Sequence, residues 1–169
     1  MTFTSFHYEA PLPALGTEVL TVILENLSIV MTFAFSQEAL AKYYGEHYHG
    51  RFKFLERAFF DAPHQRAIRA CIELAVMYRA LDDIQNITAR REEESFGDLY
   101  NGDEPPKPLR LRDLVNKIIH AQRIEWDFSK DIKEPLIVCY AAANQAGFGW
   151  TKAEIRVTGL AEACSGLAC

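Results

Sequence analysis

Arg112, Asn116 and His120 fall at i, i+4 and i+8 within LRLRDLVNKIIHAQRIEW, residues 109–126. On a helix this spacing stacks a guanidinium, an amide and an imidazole on one face. Those three groups are the parts needed for chemistry at a phosphate. The guanidinium supplies a planar, bidentate donor set for developing charge, the imidazole gives or takes a proton, and the amide orients either one. Leu111, Leu114, Val115 and Ile118 hold the spacing of a buried face on the same helix. The polar row therefore points away from the core. The plainer alternative is that His120 covers carbonyls at the helix C-terminus, where a cation is favoured, and that Arg112 and Asp113 are surface residues.

The segment RALDD, residues 79–83, adds supporting candidates. Arg79 and Asp83 stand at i and i+4, and Arg79 and Asp82 at i and i+3. This suits either an intrahelical pair or a polar network that orients Arg112 or His120 from a neighbouring helix. Asp82 and Asp83 have no third carboxylate near them in sequence to complete a metal site. Glu46 and His49 form one Glu-x-x-His, whereas a di-iron bundle needs two, so no metal and no cofactor is expected. Trp126 and Trp150 read as packing residues, with Phe148-Gly149-Trp150 as a loop able to stack a base. No phosphate-binding loop, nucleophile elbow or dinucleotide fingerprint is present in the sequence.

The elements that must position these residues are mainly helical. Residues 1–16 read as an N-terminal arm anchored by Phe3, Phe6 and Tyr8. A buried helix follows from Glu18, with Ile23, Leu27, Val30 and Ala34 in helical spacing. It either continues to about Tyr44 or gives way to a second segment capped near Ser36; the sequence leaves both open. YYGEHYHGR, residues 43–51, reads as a turn, then a short helix from Phe52 to Phe60 closed at Asp61-Ala62-Pro63, then a long helix from His64 to Arg91. Residues 95–108, rich in Gly and Pro, read as a surface loop. After the central helix, WDFSKDIKEP reads as a turn-rich connection. Residues 135–158 read as a β-hairpin whose strands are LIVCY and AEIRV, and Gly159 opens a terminal helix. The expected fold is a mainly α antiparallel bundle of four to five helices in a single domain, 1–169, with a small C-terminal β-hairpin and terminal helix.

The 169 residues are 49% hydrophobic and 24% charged with a net charge of −5. This is the composition of an ordinary globular domain, and it argues against a surface built to coat nucleic acid while leaving room for a local basic site. Cys71, Cys139, Cys164 and Cys169 form no CxxC pair, so free thiols in a reducing, cytoplasmic setting are expected rather than structural zinc. The N-terminus lacks a basic n-region, and the apolar run 19–35 is interrupted by Glu25 and Asn26; neither a signal peptide nor a membrane span is expected.

Asn116 and His120 give an Asn-x-x-x-His that resembles the signature of HEPN domains (higher eukaryotes and prokaryotes nucleotide-binding), over about ten residues. In that superfamily the motif pairs an Arg next to the polar residue with a His one turn on. Here Val115 stands at the usual Arg position, and Arg112, one turn earlier on the same face, is the nearest substitute. The resemblance implies metal-independent RNA cleavage or RNA binding in a bacterial defence or toxin system, acting as a homodimer. Arg112, Asn116 and His120 would be the catalytic residues, with Arg79 and Asp83 in support. A non-catalytic helical protein that binds another protein is the second reading.

Overall fold

The computed structural model describes residues 15–49, 52–129, 134–142 and 149–167. The expected arm anchors Phe3, Phe6 and Tyr8, the loop residues Gly147 and Phe148, and Cys169 lie outside them. Helix α1, Leu15–Tyr48, is a single helix. At 34 residues it is about 51 Å long. The segment expected to turn at 43–51 instead carries the helix to Tyr48, and His49 then leaves it with φ 46°. Ring contacts among Tyr43, Tyr44, Tyr48, Phe59 and Phe60 hold this end together.

A short α2, Lys53–Glu56, passes through one π turn, Arg57–Asp61, directly into α3, Ala62–Gln85. Asp61-Ala62-Pro63 thus does not close a helix; Pro63 sits in the first turn of α3, just after the π turn. α3 ends earlier than expected, because Asn86 takes the left-handed conformation at φ 53° and its N–H caps the Asp82 carbonyl at 2.8 Å. A 3-10 turn, Thr88–Arg91, follows. α3 lies antiparallel along α1: Asn26 donates to Glu73 at 3.1 Å and Phe33 meets His64.

The expected small hairpin is a five-stranded antiparallel sheet of order β2-β1-β5-β4-β3, so the chain is not a mainly α bundle. β1, Gly97–Tyr100, and β2, Lys107–Pro108, lie inside the stretch expected to be a loop. β3, Arg123–Asp127, occupies the end of the expected central helix. That helix, α4, runs only from Leu111 to Ile119. β4, Leu136–Tyr140, and β5, Lys152–Arg156, pair as the hairpin reading expected, with Ile137 opposite Ile155, and α5, Val157–Ser165, closes the chain.

The register explains the layers. Trp126, Ile137, Ile155 and Gly97 fall in one row across four strands, and this face meets the helices. Leu74, Leu111, Leu114, Ile118, Ile137 and Ile155 are all buried in one core. The outer face is tied by Tyr100 donating to Glu154 at 2.9 Å, Lys152 to Glu154 at 2.7 Å, and Arg123 lying 4.2 Å from the Tyr140 ring centre. Arg91 donates to the carbonyls of Glu162 and Ala163, satisfying the C-terminal turn of α5. Cys71, Cys139 and Cys164 are buried free thiols; burial pushes Cys139 and Cys164 up to about 12.

Gly97 is a required glycine, since a Cβ there would overlap the backbone carbonyl of Glu154 on β5. Gly97→Ala is expected to separate β1 from β5 and cost about 2–4 kcal/mol, the size of a strained or overpacked site. Urea unfolding of the two proteins measures it.

Candidate functional site

The site is built where α4 crosses the C-terminal half of α3. Leu111, Leu114, Val115 and Ile118 are all buried, which fixes the rotation of α4 and turns Arg112 and Asn116 onto α3. The polar row therefore does not face open solvent as the spacing suggested. Arg112 and Asn116 are half-buried, and only His120 is exposed.

Asp82 organises the junction. It is 3% exposed and accepts from the Thr88 N–H at 2.7 Å, the Thr88 hydroxyl at 3.0 Å and the Arg112 guanidinium. Burial pushes its carboxyl up, but the Thr88 N–H, the Arg112 guanidinium and the Thr88 hydroxyl together outweigh burial and hold it below the ordinary carboxylate value. Arg112 reaches a second carboxylate, Asp83, at 3.1 Å. Asp83 also accepts from Arg79 at 3.2 and 3.3 Å, and Arg79 donates onward to the Asn116 carbonyl oxygen. Of the two readings offered by residues 79–83, the intrahelical pair and the interhelical network are both present, and the network holds Arg112 and Asn116 rather than His120.

Arg79, Asn116, Lys117, His120 and Trp150 line an open depression of about 350 Å³. Arg112 is not among them. Lys117 lies 5.0 Å from the Trp150 ring centre and 3.8 Å from Asp113. Trp150 is buried, a packing residue as its sequence reading expected, and it floors the depression. His120 is the residue just past α4; its backbone N–H, not its imidazole, caps the Asn116 carbonyl, at 2.9 Å. Asn116, which lines the depression, accepts from Arg79 through its side-chain carbonyl.

The arrangement therefore brings together three donor-bearing side chains, Arg79, Lys117 and His120, and the Asn116 amide. This is the donor set of a site for a phosphate or carboxylate. Lys117 was missed by the sequence reading. Its signal was its place beside Asn116 and three residues before His120, which puts it on the edge of the same face. Glu46 and His49 remain at the far end of α1. Among the described residues no group of three His, Cys, Asp or Glu is placed to hold a metal ion. No family model, no curated protein and no solved structure matches this chain.

The depressed Asp82 carboxyl links stability to pH. A carboxyl whose folded pKa lies below its unfolded value stabilises the fold above the unfolded pKa, and that contribution is lost as pH falls through the folded one. Asp82 therefore stabilises the fold at neutral pH, and its contribution drains away below about pH 4. Asp82→Asn is expected to lose roughly 2–3 kcal/mol at pH 7, discounted for the partial exposure of Arg112. It should also flatten the acid limb of the stability profile, read by urea unfolding from neutral to acid pH.

Proposed function

We propose that this chain is a binding protein that takes RNA by its phosphates in the depression at the end of α4, without cutting it. Arg79, Lys117 and His120 make the phosphate contacts, and the Asn116 amide adds a neutral donor. The observation that carries this reading is the division of the basic residues. Arg79, Lys117 and His120 line an open depression, while Arg112 lies outside it and is held by the carboxylates of Asp82 and Asp83; Arg79 also pairs with Asp83, and Lys117 with Asp113.

Binding is favoured over cleavage here. Freeing Arg112 would strand the buried Asp82 charge, a cost of several kcal/mol, before any gain at the phosphate. The guanidinium that does line the depression with His120, Arg79, is itself paired with Asp83. The resemblance to HEPN domains points to the same helix and to the same class of ligand. The net charge of −5 limits the strength of the contact, because a basic depression on an acidic body attracts RNA only at short range.

The test is fluorescence anisotropy with a labelled single-stranded RNA, together with incubation of total RNA in EDTA. Two to three phosphate contacts predict a loss of affinity on the order of tenfold between about 50 and 200 mM salt. Lys117→Ala is expected to weaken binding several-fold and to make the salt slope shallower by about one contact. Binding that ignores both salt and Lys117→Ala would contradict the phosphate reading. RNA cleavage that persists in EDTA and disappears in His120→Ala would contradict the non-cleaving one.

A further inference from the structure

α1 is apolar around most of its circumference, yet only one side of it is covered. It is the one helix among the described residues long and apolar enough to cross a membrane by length and composition, and 28% of that apolar window is buried inside the structure. The expectation of a buried helix at 19–35 thus holds for one face only. Ile23, Asn26, Val30, Phe33 and Ala34 are covered. Opposite them Glu25, Ser28, Thr32, Phe35, Ala39 and Lys42 are all exposed. Their spacing of three and four residues in alternation is that of a coiled-coil seam. Val22, Leu24 and Tyr43 flank the seam, with Leu24 66% exposed.

We propose that this face binds a second copy of the chain, with the two α1 helices antiparallel about a two-fold axis between Thr32 and Phe35. That register follows from the residues themselves. Placing Thr32 opposite Phe35 of the other copy brings Ser28 opposite Ala39 and Glu25 opposite Lys42. Glu25 and Lys42 meet with opposite sign, the symmetry makes the pair twice, and the next seam position, Glu46, falls opposite the uncharged Thr21. The flanks agree: Val22 comes beside Tyr43, and Leu24 comes over Gly45, where a Cβ would meet nothing within 4 Å. Phe35 of each copy packs at the centre, the small Ser28 and Ala39 lie one layer out, and the patch is self-complementary as a two-fold interface requires. Glu25 and Lys42 are seventeen residues apart on one straight helix, about 25 Å, so they cannot satisfy each other within a single chain.

A bilayer fits the same face less well. α3 lies along α1 and carries Arg66, Arg69 and Glu73 beside it, and Glu73 is tied to Asn26. Inserting α1 would bring those charges to bilayer depth at a cost of several kcal/mol.

The proposal is independent of the RNA reading and is tested by sedimentation velocity on the whole chain, with and without phosphatidylcholine vesicles. Wild type is expected to be a dimer at micromolar concentration and to leave the vesicles unbound. Glu25→Lys and Lys42→Glu, both at exposed positions, should each raise the dimer Kd on the order of tenfold or more by setting like charges opposite one another. The double reversal should restore the wild-type Kd. A monomeric wild type, a dimer indifferent to the single reversals, a double variant that is not restored, or sedimentation with the vesicles would each overturn it.

Discussion

The fold turns on one buried carboxylate. Asp82 closes α3 with its backbone carbonyl, holds the following 3-10 turn through both Thr88 donors, and fixes α4 through Arg112. Three consecutive pieces of chain are therefore joined at one charge. A buried charge is tolerated only where its partners are complete, and here the N–H, the hydroxyl and the guanidinium complete it. The orientation of α4 follows, and with it the positions of Asn116, Lys117 and His120. The same ion pair occupies the Arg112 guanidinium with carboxylates outside the depression, so the element that builds the depression also limits its chemistry.

The sheet is where the sequence was hardest to read. RIEWD alternates outward Arg123, Glu125 and Asp127 with inward Ile124 and Trp126, the period of a half-covered strand. It follows a strong helical pattern without Gly or Pro between, and so it reads as the end of that helix. β1 and β2 are short and sit among Gly97, Gly102 and three prolines, residues that signal loops. They form because the edge of β5 offers a partner, a tertiary fact absent from their local composition. By contrast LIVCY and AEIRV carry their own signal and pair as their pattern implies. Helix boundaries suffered from backbone conformations that residue type fixes poorly. Asn86 adopts φ 53° and ends α3, whereas Gly45 continues α1 as an ordinary helical residue.

The site was legible as a set of residues but not as a set of roles. Spacing alone placed Arg112, Asn116 and His120 on one face and paired Arg79 with Asp83. It could not show that α3 lies against that face, which converts Arg112 from a candidate ligand contact into a structural cation and promotes Arg79 from support to lining. Lys117 and Trp150 meet only through the contact of α4 with the strand region. The same limit applies to α1, which read as a buried helix although only one of its faces is covered.

The central claim is that Arg112 serves the fold through Asp82. A double-mutant cycle on unfolding free energy, with Arg112→Gln, Asp82→Asn and the double variant, measures it most directly. A coupling energy of about 1–2 kcal/mol is expected for a pair with one buried and one partly exposed member. Effects that add to within about 0.3 kcal/mol would show that the two side chains do not depend on each other, and would return Arg112 to the ligand face.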